Sequence, residues 1–196
     1  SICDLYGYGY TRLDKMDKKF CKPWIICLTG PESSGKTTLA KQIASYFNAP
    51  LVPEVARNYL NERYQRGITS YRRTDLIEIA KLQLRAEQKA VTENKNLVIC
   101  DTDLLVLRIW HEEKYGFVDP SILKMMENMP ERHYIVTTPD IPWEKDVLRE
   151  SKGDRGRLLQ RHVRLLAEGN SHYKKVRGNQ QSRLRTSIDT INTWRQ

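Results

Sequence analysis

The sequence is short of the features that mark several large protein classes. Its longest uninterrupted apolar run is Trp24-Ile25-Ile26-Cys27-Leu28, far below the roughly 20 residues that a membrane-spanning helix needs. No basic-then-apolar leader with a small-residue cleavage site opens the chain, so export is not expected. Cysteine is scarce. Cys3, Cys21, Cys27 and Cys100 form no C-x-x-C pair and no cluster with histidine. Two of them sit in apolar stretches that read as buried strands, and the expectation is a reduced, cytoplasmic protein. Apolar residues make up 39% of the chain. That is below the roughly 45–50% of an average domain but well above the disordered class. There is no internal repeat.

Acidic residues are also in the minority, 24 against 33 Lys and Arg in 196 residues, for a net charge of +9. A basic excess suits nucleic acid, a membrane surface or phosphorylated small molecules. Here it is concentrated late: residues 145–185 carry 12 bases and 4 acids. No aromatics interleave with these bases in the manner of an RNA- or DNA-binding signature.

Residues 1–22 are polar and aperiodic and read as a tail or linker; one folded domain is expected over 23–196. Apolar runs at 24–29, 51–52, 97–100, 133–138 and 173–176 read as strands. Helical spacing marks 36–47, 54–65, 73–94, 103–113, 120–128, 157–168 and 180–194. Strands alternating with helices imply a parallel sheet covered on both faces.

Gly30-Pro31-Glu32-Ser33-Ser34-Gly35-Lys36-Thr37 matches G-x-x-x-x-G-K-[ST], with an apolar strand before it and an amphipathic helix after it. Those flanks are what a P-loop requires. Gly30 and Gly35 let the backbone turn tightly, so that its N–H groups, with those of Ser33, Ser34 and Thr38, face phosphates at a helix N-terminus. Lys36 would reach the β- and γ-phosphates of ATP, and the Thr37 hydroxyl would ligate Mg²⁺. The fold expected is therefore the three-layer α/β P-loop NTPase type, with a parallel five-stranded sheet, similar to the nucleotide kinases.

Leu97-Val98-Ile99-Cys100-Asp101 has the form of the second metal-binding strand of such proteins, with Asp101 at the metal; its alternative role is to cap the next helix. Thr102 follows, where motor and remodelling ATPases place a water-activating Glu, and Asp103 after it could serve a hydroxyl substrate. Asn94-Lys95-Asn96-Leu97 lacks the final Asp of the guanine-reading N-K-x-D pattern. Pro53-Glu54-Val55-Ala56-Arg57 ends the second strand, on the edge where open α/β sheets gather ligands. Glu54 could meet an acceptor hydroxyl and Arg57 a polar substrate group, or the two could simply pair beside a helix terminus. Residues 149–157, with Arg149, Arg155 and Arg157 among glycines, read either as an arginine-bearing lid over the phosphoryl group or as a solvated loop. Trp110, Tyr115 and Trp143 could stack on a base or pyridine ring, or fill the core.

Taken together, GPESSGKTTLA (30–40), PEVAR (53–57), CDTDLLVLRIW (100–110), TTPDIPWEKDVLRE (137–150) and Gly178 followed by Arg183 resemble the ribosylnicotinamide kinase domain of NadR-type NAD-biosynthesis proteins. The resemblance runs from about Trp24 to the C-terminus. It implies transfer of the ATP γ-phosphate to the ribose 5′-hydroxyl of nicotinamide riboside. It puts Asp103 and Arg57 near the ribose and Trp110 near the nicotinamide ring, with Glu54 or Asp103 orienting the hydroxyl. Arginines from Arg149 onward, Arg155 and Arg157 included, would form the lid. NadR-type proteins carry a nucleotidylyltransferase domain ahead of the kinase. The residues before Trp24 hold no histidine for that domain's phosphate-binding motif, so the expectation is kinase chemistry without adenylyl transfer, stand-alone or as part of a longer protein. The alternatives are a kinase for another nucleoside or a vitamin alcohol, a nucleotide-switched nucleic-acid-binding module, and an AAA-type ATPase, the last disfavoured by Thr102 after Asp101.

Overall fold

A computed structural model of the chain describes residues 23–93, 96–142 and 154–196. The expected tail, Trp143 and Arg149 lie outside these residues. Five parallel strands form one sheet: β1 (Trp24–Thr29), β2 (Leu51–Val52), β3 (Leu97–Asp101), β4 (His133–Thr137) and β5 (Tyr173–Val176), in the order β2-β3-β1-β4-β5. Seven helices connect and cover them among the described residues: α1 (Lys36–Phe47), α2 (Val55–Gln65), α3 (Arg73–Glu93), α4 (Leu104–Tyr115), α5 (Pro120–Glu127), α6 (Arg155–Glu168) and α7 (Gln180–Trp194).

The sheet is apolar on both sides because its central strands are buried on both sides. Alternate residues of β1 part company: Ile25 and Cys27 join a cluster with Leu105, Ile109, Leu158 and Leu166, while Ile26 and Leu28 join Leu39, Ile43 and Ile191. A period-two strand between two helical layers reads as an unbroken apolar run for this reason. One layer is thus built from α4 and α6, the other from α1 and α7. A third cluster, with Leu60 of α2, Ile79 of α3, Leu107 of α4 and Met125 of α5, packs the helices beyond β2 against one another. The edge strand β5 exposes Lys174 and Lys175, charges that discourage further strand pairing.

Local chemistry sets the helix ends that matter to the site. Gly35, at φ 83°, leads into α1. Asp103 caps α4 by accepting the Leu105 N–H at 3.0 Å, and Gly116, at φ 76°, closes that helix. Between Asp101 and Asp103, Thr102 has φ 72°, a conformation that costs a β-branched residue on the order of 1–3 kcal/mol.

Candidate active site

The segments that follow β1, β2 and β4 open onto a cavity of about 400 Å³. Its floor is the loop from Gly30 to Thr38. Gly30 has φ 136°, and a Cβ there would lie 2.5 Å from the Thr137 carbonyl oxygen. Only glycine permits this approach of the loop to β4. Hydroxyls brace the loop from below. Ser34 Oγ donates to the Pro31 carbonyl at 2.7 Å and shares a 2.6 Å hydrogen bond with Thr137 Oγ1. Lys36 Nζ donates to the carbonyls of Gly30 and Pro31 at 3.0 and 2.7 Å, so its ammonium lies along the loop.

Asp101 stands at the end of β3 with 2% exposure. Burial raises its pKa; Thr37 opposes that by hydrogen bonding to the carboxylate, while Glu54 adds to it and Lys36 and Arg57 pull it down. Its Oδ1 is buried without a hydrogen-bond partner among the described residues. An orphaned carboxylate oxygen beside a P-loop threonine is a donor set that fits a hard divalent cation. Asp101 does not take the capping role left open for it; Asp103 does.

Glu54 and Arg57 reach the cavity as expected and pair at 3.4 Å. Trp110 lines the wall farther out. Its Nε1 donates to the Tyr71 hydroxyl at 2.6 Å, and Lys114 lies 3.2 Å above the Tyr71 ring.

Other expectations are corrected. Asp103 does not face the cavity. It is 1% exposed, with Oδ1 taken by the α4 cap and Oδ2 accepting from Tyr134 at 2.8 Å and Arg132 at 3.3 Å. Tyr115 also turns away, packing tilted against His111 with ring centroids 4.9 Å apart. Arg155 donates to the carbonyls of Ser33 at 3.2 Å and Ile141 at 3.1 Å, steadying the phosphate loop from behind. Arg157 is held by Asp154 and, through two nitrogens at 2.8 and 2.5 Å, by Glu113. Trp143 and Arg149 fall outside the described residues, and with them most of the expected lid.

Two residues of the site have no role assigned from the sequence, although Arg183 is part of the resemblance. His162 of α6 lines the cavity, shares a 2.9 Å hydrogen bond with Thr29 Oγ1, and has its pKa pushed down to about 3 by burial and by Lys36. Arg183 of α7 is 4% exposed and bonds Ser34, Thr138 and Gly178 carbonyls together with Asp140. It pins the phosphate loop to the segment after β4. A lone helical His does not stand out in a sequence, and Arg183 does so only through the resemblance, which attaches no role to it.

The order of strands, the phosphate loop and the Thr37–Asp101 pair define a three-layer P-loop NTPase fold of the kind that kinases share. The chain belongs to the AAA domain family, which it matches over residues 25–183. The missing Glu after Asp101 therefore does not exclude that family; it bears only on water activation. The chain is 25% identical over 153 residues to the trifunctional NAD biosynthesis/regulator protein NadR of Escherichia coli (strain K12), covering 77% of this chain and 37% of that protein. It is 28% identical over 148 residues to the ATP-dependent protease ATPase subunit HslU of Caldicellulosiruptor saccharolyticus, covering 73% and 32%. The chain thus spans about a third of the curated relatives it matches. A crystal structure of NadR in complex with NR superposes with TM-score 0.73 at 22% identity, over 88% of this chain and 50% of that one. A deoxyadenosine kinase from M. mycoides superposes with TM-score 0.59 at 14% identity, over 86% and 99%.

Proposed function

We propose that this chain is an ATP-dependent kinase whose acceptor is the ribose 5′-hydroxyl of nicotinamide riboside, and that it works in a reduced, cytoplasmic setting. The observation that carries the reading is the cavity itself. One continuous space joins the phosphate loop to Glu54, Arg57 and Trp110. A nucleotide triphosphate at one end would have its γ-phosphate beside an acceptor at the other. Similarity to NadR supports the identity of the acceptor, and two free, buried cysteines suit the setting.

In this reading the loop N–H groups and the α1 N-terminus cradle the phosphates, and Lys36 swings from its carbonyl contacts to the β- and γ-oxygens. Thr37 and Asp101 would hold Mg²⁺, which neutralises charge on the transferring group when bound. Glu54 accepts the proton of the attacking hydroxyl and fixes its direction, and Arg57 orients the sugar. Of the two carboxylates weighed for that work, Glu54 lines the cavity and Asp103 does not, which supports Glu54. Trp110 presents a face to the acceptor ring. The loose transition state of phosphoryl transfer makes positioning the larger part of catalysis.

A second reading, nucleotide hydrolysis as in HslU, is favoured by that relative and by the AAA family match; the residue directly after Asp101 is Thr102, not a carboxylate that could activate water. Steady-state kinetics of Trp110→Ala test the acceptor end. Loss of a stacking face worth about 1–3 kcal/mol raises acceptor KM by about five-fold to a hundred-fold or more and leaves ATP KM near wild type. Equal rises in both would return Trp110 to a packing role.

A further inference from the structure

Gln83 lies in the middle of α3, is 2% exposed, and does not line the cavity. Its amide nevertheless touches both chain segments that carry the reacting groups. Oε1 accepts the Val55 N–H at 3.2 Å, the first residue after Glu54. Nε2 donates to the Thr102 carbonyl at 3.5 Å, the residue after Asp101, and to Glu87 Oε1 at 3.4 Å. Thr102 is the one with φ 72°.

A strained turn persists only where its surroundings hold it. Glu87 is itself held, accepting from Arg132 at 2.9 Å, and Arg132 reaches Asp103 at 3.3 Å. The Asp101-Thr102-Asp103 turn is therefore gripped on both sides: at Asp103 by Arg132 and Tyr134, at Thr102 by Gln83. Burial works against the charge on Arg132, but the carboxylates of Glu87 and Asp103 beside it outweigh burial and hold the guanidinium ionised. This anchors the far end of the network.

We propose that Gln83 is a positioning residue that sets Glu54 and Asp101 relative to the phosphate loop, through its bonds to Val55 and Thr102. One amide, locked in the longest helix among the described residues, spaces the hydroxyl-orienting carboxylate from the metal-binding one. The Glu54 arm rests on the kinase reading; the Asp101 arm rests on the P-loop alone.

The test is Gln83→Met, nearly the same shape without the amide. In equilibrium binding of a fluorescent ATP analogue, Mg²⁺ tightens binding to wild type through Asp101. Gln83→Met loses most of that Mg²⁺-linked gain while its metal-free affinity is unchanged. Its kcat for acceptor phosphorylation falls about ten- to a hundred-fold with KM values near wild type, as a misplacement of about 1 Å produces. Should Gln83→Met fail to fold by thermal melt, Gln83→Glu serves instead. When protonated, its carboxyl accepts from Val55 and donates to Thr102, so its kcat deficit relative to wild type narrows as pH falls, with Glu87, Arg132 and Asp103 facing it in both proteins. An unchanged Mg²⁺-linked gain in folded Gln83→Met overturns the proposal, as does a pH-independent deficit in Gln83→Glu or a wild-type chain with no Mg²⁺-linked gain. Absence of acceptor phosphorylation by wild type would count against the proposed function and leave the binding test readable.

Discussion

Asp101 and Asp103 stand two residues apart and do opposite work. The left-handed backbone at Thr102 turns one carboxylate toward Thr37 of the phosphate loop, and the other inward to Arg132 and Tyr134. Asp103 is therefore a structural acid. Asp103→Asn leaves Arg132 with a weakened partner in the interior and costs on the order of 3–5 kcal/mol, read as a lower urea midpoint. A variant of undiminished stability with no turnover would instead restore Asp103 to the reaction. The catalytic reading came from a pattern, D-x-D at the end of a strand. Nothing in that pattern shows the sign of φ at the middle residue, or that Arg132 and Glu87, distant in sequence, converge on the second carboxylate. Glu54 and Arg57 were legible because strand order alone brings the end of β2 to the ligand edge.

At the scale of the element, the β1–loop–α1 unit was readable almost to the residue, since one motif and two clear hydrophobic periods set its limits. Its glycines are separately testable. Gly30→Ala would drive a Cβ to 2.5 Å from the Thr137 carbonyl oxygen, and the misfit costs at least about 2 kcal/mol. Gly156→Ala in α6, with nothing within 4 Å of the new methyl, is neutral or stabilising by up to about 1 kcal/mol. Thermal melts of the two variants check the contrast; equal effects would remove the argument for a close-packed phosphate loop. The α6 arginines were the least legible part. A charge run resembles a lid whichever way its side chains point. Only the packed helices show that Arg157 reaches Glu113 and that Arg161 reaches Glu112 at 2.7 Å, fastening α6 to α4.

At the scale of the molecule, the order β2-β3-β1-β4-β5 sets β1 between two neighbours whose connections leave in different directions, and ligands gather at such a switch point. The layers around it also give the fold a pH limit. His162 is buried neutral, with its pKa pushed down to about 3 from 6.5. The unfolded chain binds the proton first, so stability is full above about pH 6.5 and falls as pH drops toward 3, by on the order of 3 kcal/mol between pH 6.5 and 4. His162→Gln keeps a hydrogen-bonding side chain beside Thr29 without the titration. Urea midpoints measured across that range should decline less steeply in the variant. Parallel declines would mean that His162 is not the group responsible.

The central claim is that the phosphate loop and the Glu54–Arg57–Trp110 wall form one phosphoryl-transfer site. It is tested most directly by ADP release from Mg·ATP with and without nicotinamide riboside, with the acceptor weighed by mass spectrometry. The account predicts ADP release that depends on the acceptor, an acceptor heavier by one phosphoryl group, and loss of both in Lys36→Ala. ADP release at the same rate with and without acceptor, and no phosphorylated product, would contradict it.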